Sequence, residues 1–546
     1  MDTQRLILFV VFSFSLLLLW EAWQKELKPA VPVNPATQGS VPAPSPVSQT
    51  GSVSGSAAPA AIAGSAGEPR EHLRVTTDTL RAEIDTQGGD INYLELLQQK
   101  DAREEAKNFI LLGPEHRYAV QSGLTGAGLP NHLTPFHAQA EEFNLAPGQN
   151  QLEIRLEAST PQGVKVTKTL TFHRGSYQID VAEEITNGSK EPLATDAYFQ
   201  IVRDGKSPGG DPYMTQTYTG AAVYTDQEKF QQVTFEDITK GKIAYPKATD
   251  NGWIAMIQHY FVAALLPPDK TPREFYTRKI ADDLYSIGVK IRVGPIAPGA
   301  KASVAVPLYA GPQDQDHLQS VAPGLERVVD YGRLWVIAAP LFWVLKLFHG
   351  WLANWGLAII LLTIVIKLIF FPLSAASYRS MAKMKLVTPR LMKLREQYGD
   401  DKAKMNQKMM ELYKTEKINP LGGCLPIVVQ IPVFIALYWV LFESVELRHA
   451  PFYLWIKDLS APDPWYVLPT MMMVSMIVQT RMNPTPPDPV QAKVMMIMPL
   501  VFGVMFYFFP SGLVLYWFVN NILSILQQWQ ITRMMGGEKT AAGAKR

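Results

Sequence analysis

The chain has one cysteine, Cys424, in 546 residues. An intrachain disulfide is therefore excluded, and so is a zinc site built from cysteines. Net charge is scarce as well. Lys and Arg number 51 and Asp and Glu 49, leaving a formal +2, which is no electrostatic footprint for DNA. His116, His132, His137, His173 and His259 lack the spacing of metal ligands, so no metal is expected. Gly205-Lys206-Ser207 ends like a phosphate loop. The motif's first glycine would fall at Gln200, however, and Pro208 blocks the helix that should follow, so the motif is rejected. No catalytic residue and no cofactor is expected. The last third of the chain has no acidic residue in the central part of any long apolar run. A proton- or ion-coupled pump would be expected to show an acid relay there.

What is present divides the chain in two. Residues 30–330 are polar and mixed, whereas 334–533 are dominated by apolar runs. Ahead of both, Leu6 to Trp20 forms an apolar run with Arg5 before it and Glu21 after it. It reads as an uncleaved signal anchor over 1–23 or as a cleaved signal peptide. The lack of a small-x-small site in Glu21-Ala22-Trp23-Gln24-Lys25 favours the anchor;. Residues 24–70 form a tether, since Pro29 to Pro69 is rich in Pro, Ala, Gly and Ser with almost no charge, a composition that buries no core;. From 71 to 322 the pattern is β-type. Leu73-Arg74-Val75, Gln151 to Leu156 and Val164 to Leu170 alternate with period two, and Gly88-Gly89, Pro147-Gly148, Asn187-Gly188 and Pro298-Gly299 supply turns;. Many short strands predict a large antiparallel β-sandwich.

Five apolar runs follow, Leu352–Phe371, Leu421–Phe442, Tyr466–Thr480, Val494–Phe509 and Leu513–Ile531. Most approach the roughly 20 residues that cross ~30 Å of hydrocarbon. With the N-terminal run they predict six spans. Residues 373–418 carry eleven Lys and Arg against five Asp and Glu, loop 444–464 has two Lys and Arg, and the tail from Arg533 has four. The positive-inside rule then places both termini and the basic loop inside and the β domain outside. Residues 323–349 mix Val328, Val329, Leu334, Trp335 and Ile337 with Arg327, Asp330 and Arg333. They read as an amphipathic interfacial helix or as a plain connector. Within the block 350–533, residues 375–418 read as a helical hairpin. Leu391, Leu394 and Tyr398 would form one half of its seam and Met405, Met409 and Leu412 the other, with a turn and N-cap at Gly399-Asp400-Asp401;. Its basic face either only sets topology or meets lipid headgroups or ribosomal RNA. Residues 534–546 form a basic tail.

The polar exceptions in the block are informative. Lys367 lies about five residues before the inner end of its run, roughly 7 Å deep at 1.5 Å per residue. A lysine at a helix centre costs about 2.5–3.5 kcal/mol, less near the edge. Its stem either snorkels to the headgroups or its charge serves a wet cavity. Thr363 extends the same face. Tyr516, Asn520, Ser524 and Gln528 recur every four residues, and Ser475 and Gln479 form a shorter stripe, with Gln430 isolated. Each stripe is either interhelical glue or a cavity wall, and together with the lysine they favour a hydrated inner cavity. Seventeen of the 20 methionines lie after residue 380. They are either core filling or a surface adaptable to many apolar partners.

Several stretches match a family. These are Asn354-Trp355-Gly356, Phe371-Pro372-Leu373, Met381-Ala382-Lys383-Met384-Lys385, Gly399-Asp400-Asp401-Lys402, Asn419-Pro420-Leu421-Gly422-Gly423-Cys424-Leu425-Pro426 and Phe509-Pro510-Ser511-Gly512-Leu513. In this order they resemble the YidC family of bacterial membrane protein insertases. Thr86-Gln87-Gly88-Gly89-Asp90 and Gly252-Trp253 resemble its Gram-negative members. The resemblance implies a polytopic α-helical membrane protein of six spans, with a five-helix insertase core and a large periplasmic antiparallel β-sandwich, in the bacterial inner membrane. It implies a hydrophilic groove open to the cytoplasm and lipid, involving Lys367, Thr363, Tyr516, Trp517, Asn520 and Ser524. A substrate slide would include Gln430, Ile431, Pro432 and Met505. The implied partners are nascent membrane proteins, the Sec translocon, the ribosome by way of the hairpin and tail, and anionic lipid. The family's groove charge is usually arginine, and Lys367 keeps the charge without the two-pronged fork. The alternatives are a transporter or channel, which needs a through-pore or acid relay, and a membrane-anchored carbohydrate-binding protein or sugar-processing enzyme, which as an enzyme needs paired carboxylates in the β domain.

Overall fold

The computed structural model describes residues 71–102, 104, 106–208, 217–242, 245–398, 401–416, 425–483 and 489–543. The anchor 1–23, the tether 24–70 and the Asn419–Cys424 part of the matched motif lie outside them. The described chain forms two compact units that meet in sequence between Val329 and Asp330.

In the first unit the period-two pattern becomes strands with one buried face. Along Val164–His173, positions Val164, Val166, Lys168, Leu170 and Phe172 are buried. Among the described residues two large sheets form. One runs Ala248–Thr249, Arg273–Ala281, Leu284–Ile296, Leu193–Arg203, Ala119–Leu124, Asp90–Lys100, Leu80–Asp85, His72–Thr76 and Glu142–Asn144, with Asn108–Leu112 also paired to Asp90–Lys100. The other runs Lys229–Val233, Gly220–Thr225, Trp253–Gln258, Phe261–Leu265, Lys301–Pro312, Gln178–Asn187, Val164–His173, Gln151–Ser159 and His137–Ala138. Pairing is antiparallel except where His72–Thr76 meets Glu142–Asn144 in parallel. The sheets face each other across one apolar core. Across it, Phe109 stacks on Phe261 with centroids 3.9 Å apart, and the Tyr118 hydroxyl donates to the Met256 carbonyl at 3.4 Å. Gly252 has φ +86° and sits where a Cβ would lie 1.9 Å from the Tyr224 carbonyl oxygen, so only glycine fits;.

Lys168 points into this core. Its Nζ donates to the carbonyls of Gly88 and Ser122, lies 3.7 Å from Glu183 Oε1, and sits 5.2 Å above the Phe136 ring. Asp90 is buried beside it and accepts from Gln121 Nε2 at 2.8 Å. Burial pushes the Asp90 carboxyl up to about 8, against the pull of Lys168. Burial pushes Glu183 up too. A raised carboxyl binds its proton in the fold while the unfolded chain has already released it, so its contribution to stability is lost as pH rises. The window for Asp90 runs from its ordinary 3.8 to about 8.

The second unit is helical. Its principal helices are α1 (Trp335–Leu352), α2 (Trp355–Ile369), α3 (Phe371–Tyr398), α4 (Lys402–Thr415), α5 (Leu425–Glu443), α6 (Val467–Met482), α7 (Pro489–Met505) and α8 (Ser511–Gly543). The helix expected over 323–349 differs in extent and character. Arg327 lies in one 3-10 turn, Leu325–Val328, and Arg333 in another, Gly332–Leu334, both before α1 starts. The helix that follows buries Ala338, Phe342, Leu345 and Phe348 and exposes Val336, Trp343, Leu347 and Trp351. It is apolar on both faces because the charges that suggested amphipathicity precede it. Among the described residues α1 alone is long and apolar enough by itself to cross a membrane, and α2 with α3 passes together across a 67° bend. At 1.5 Å per residue the 15 residues of α2 reach only about 22 Å;. Helix lengths alone therefore do not yield six spans.

The matched motifs build junctions. The Asn354 side chain caps α2 by accepting from Leu357 N at 3.0 Å, and a Cβ on Gly356 would fall 2.0 Å from the Phe452 ring;. The Ser511 hydroxyl donates to the Ala461 carbonyl and Gly512 N to the Leu459 carbonyl, both at 2.8 Å. In the hairpin, Asp401 caps α4 through Lys404 N. Its seam buries Val387 and Leu391 against Met409, Leu412 and Tyr413. That places it a turn earlier on α3 than the Leu391, Leu394 and Tyr398 pattern implies.

Thermal unfolding of the first unit, followed in the full-length protein in detergent, should show a midpoint that falls from pH 5 to pH 8. Asp90→Asn should flatten that slope, and an unchanged slope would remove Asp90 as its source.

Candidate functional site

The polar exceptions of the apolar segments converge. A cavity of about 310 Å³ is lined by Lys367 from α2, Ser374, Ser377, Tyr378 and Met381 from α3, and Gln430, Ile431 and Phe434 from α5. Met472, Met476 and Gln479 of α6 with Asn483, and Tyr516, Trp517, Asn520, Asn521 and Ser524 from α8, complete the wall. Lys367 is the charged residue of that described lining. It is 8% exposed, and its Nζ donates to Ser524 Oγ at 2.7 Å. Among the described residues no carboxylate lies within ion-pair distance of it.

Each wall follows from local sequence. Four-residue spacing along α8 stacks Tyr516, Asn520 and Ser524 on one face. Asn521, one position on, turns to α6 and donates from Nδ2 to Ser475 Oγ at 2.8 Å, and Ser475 in turn donates to the Met472 carbonyl. Gln528 Nε2 donates to Asn483 Oδ1 at 3.1 Å, and Gln527 Nε2 to the Phe371 carbonyl at 3.3 Å, beside the break between α2 and α3. Above the polar wall the lining turns aromatic. Phe434 stands edge-on to Trp517 at 4.4 Å and parallel to Tyr516 at 5.9 Å, and Phe506 meets Trp517 at 5.0 Å. The Trp517 indole N–H is buried with no hydrogen-bond partner among the described residues.

Of the groove residues named from sequence, Lys367, Tyr516, Trp517, Asn520 and Ser524 meet here. Thr363 does not line the cavity. It is 1% exposed, and its hydroxyl is turned back onto the Ile359 carbonyl at 2.7 Å. Of the slide residues, Gln430 and Ile431 line the cavity, Ile431 being 45% exposed, whereas Pro432 and Met505 are partly buried and do not line it. The contribution of α3 was missed. Ser374, Ser377, Tyr378 and Met381 fall at i, i+3, i+4 and i+7, a spacing legible immediately after Phe371-Pro372. Outside the cavity, α7 exposes Ile497, Leu500, Val501 and Val504 as an apolar stripe. Among the described residues no cluster of His, Cys, Asp or Glu could hold a metal ion.

A β-rich unit joined to a helical block that encloses a polar, singly charged cavity defines a class. It is a membrane protein that sets polar groups within its apolar helices. The comparisons name the family. Residues 72–344 match the YidC periplasmic domain and 347–539 match the 60Kd inner membrane protein domain. The chain is 55% identical to the membrane protein insertase YidC of Nitrosospira multiformis over 98% of both chains. It is 56% identical to that of Dechloromonas aromatica over the full length of both. The chain belongs to the YidC family of membrane protein insertases, inner-membrane proteins with a periplasmic domain. A crystal structure of an active YidC insertase with its first transmembrane domain resolved is similar at 17% identity, covering 84% of this chain and 92% of that one, with TM-score 0.39.

Hydrogen bonds between helices in a membrane are worth about 0.6 kcal/mol on average and up to ~1.7. Asn521→Ala should lower unfolding stability in detergent by about that much. A double-mutant cycle with Ser475→Ala should return most of the loss as coupling, and additive effects would show that the contact carries no energy.

Proposed function

We propose that the chain is a membrane protein insertase and chaperone. It takes hydrophobic segments of nascent proteins through the Lys367 cavity, as a cytoplasm-open groove, into the inner membrane. The observation that carries this is a cavity whose described lining bears one cation and no carboxylate, on a helix, α5, whose Val429, Ile431 and Ile435 are exposed apolar residues. The polar tail of an incoming segment meets hydrogen-bonding groups and a positive charge in place of hydrocarbon, which removes much of its desolvation cost. Its apolar part slides along Gln430, Ile431, Pro432 and Met505 into lipid. Partitioning of the segment supplies the driving force, and no covalent step is involved.

In this reading the chain has six spans, with both termini, the hairpin and the tail cytoplasmic and the β domain periplasmic. The positive-inside pattern supports it. The Sec translocon is a partner for larger substrates, and the basic hairpin and tail meet the ribosome and anionic lipid. The aromatic contacts among Phe434, Tyr516, Trp517 and Phe506 favour a cavity closed at one end over a transporter's or channel's through-path. The buried carboxylates Asp90 and Glu183 face Lys168 within the β core, which argues against their serving as a sugar-processing pair.

Lys367→Glu should reduce insertion of a test protein with an acidic outer tail by about tenfold or more, because attraction at a few ångströms in a half-wet site becomes repulsion. Lys367→Arg should be tolerated. A loss in Arg equal to that in Glu, read by protease protection of the tail, would rule out simple charge attraction.

Deletion of residues 75–320 should leave insertion of a small test protein largely in place. Complete loss with a folded helical block would assign the work to the β domain. Photo-crosslinks from Tyr516 and Gln430 to a nascent chain should exceed those from the buried Thr363.

A further inference from the structure

Lys367 lies two residues before Ile369, where α2 ends. A lysine stem so near a helix end has a ready alternative to the cavity, namely extension to the headgroups with its ammonium in water. Yet the residue is 8% exposed and its ammonium is held inward.

The hold comes from one hydroxyl. Ser524 Oγ donates its proton to the Asn520 carbonyl at 2.8 Å. With that proton committed, the oxygen presents lone pairs only, and these accept from Lys367 Nζ at 2.7 Å. The neighbouring hydroxyl, Thr363, is committed to Ile359 and gives Lys367 no second anchor. An ammonium has three N–H groups, and Ser524 takes one of them, so the others remain for whatever enters the cavity. A carboxylate at position 524 would hold the lysine equally well but cancel its charge. A hydroxyl holds it and leaves the +1 intact. Arginine would bring a rigid fork, whereas the flexible lysine stem relies on an external tie.

We propose that Ser524 is a positioning residue for Lys367. It keeps the ammonium in the cavity and so sets the preference for acidic over neutral tails. This rests on the insertase reading of the cavity and adds a specificity determinant to it.

The test uses the full-length protein in vesicles and two substrates differing only in whether the outer tail carries aspartates or asparagines. Ser524→Ala should lower the acidic-to-neutral insertion ratio about tenfold, at the low end of a lost hydrogen bond to a charged group. Ser524→Thr, which keeps the hydroxyl, should restore it. Labelling of Lys367 by a water-soluble amine reagent, read by mass spectrometry, should rise in Ser524→Ala as the stem extends, and return to its original level in Ser524→Thr. An unchanged ratio overturns the proposal whatever the labelling does. A ratio that falls without increased labelling also overturns it, because Ser524 would then act on the tail directly. So does failure of Thr to rescue, which marks a packing role. Should Lys367→Glu leave the ratio unaltered, the insertase reading of Lys367 fails first, and the two failures are told apart.

Discussion

The helical block is organised around a buried cation that no carboxylate neutralises among the described residues. Lys367 sits among apolar helices with a serine hydroxyl at 2.7 Å as its hydrogen-bond partner. A bare charge in hydrocarbon is costly, so the surrounding segments must supply polar groups while remaining apolar toward lipid. The walls do this by division of labour along each helix. On α8, Tyr516, Asn520 and Ser524 face the cavity, while Leu526 and Trp529 are exposed on the outside.

The same polar residues also hold the walls together. Asn521 ties α8 to α6, and Gln527 ties it to the break after α2. Hydrogen bonds suit this task in a membrane, where apolar contact between helices competes with equally apolar lipid tails. The aromatic cluster of Phe434, Tyr516, Trp517 and Phe506 fills the space beyond the polar wall. The lining thus joins a polar wall to an aromatic one.

The β unit handles a buried lysine in the opposite way. Lys168 is surrounded by backbone carbonyls and faces Glu183, with Asp90 nearby. Its charge is spent on joining the two sheets, and burial keeps the Asp90 proton on up to about pH 8. A paired buried charge costs less than a free one and leaves nothing for a ligand. The contrast explains why Lys367 reads as a working group and Lys168 as a structural one, although both are among the most buried cations of the chain.

Period-two alternation and turn residues were enough to read the β unit from sequence, because a strand with one buried face must alternate whatever it packs against. The parallel pairing of His72–Thr76 with Glu142–Asn144 carried no local signal, since pairing partners are chosen by the whole sheet. Apolar runs and the basic loop made the helical block legible, as did the four-residue stripe on α8. Sequence likewise singled out Lys367 as a charge without an acid. It could not say whether that lysine turns inward or snorkels, because the choice depends on a serine 157 residues away. Nor could it exclude Thr363 from the cavity, where rotation of one side chain onto its own helix backbone decides, or add the Ser374–Met381 face of α3, which reaches the cavity only through the 67° bend. Composition and periodicity determined the elements and their polar faces. Which faces meet was settled by tertiary packing, because hydrogen bonds between helices link residues that no local spacing connects.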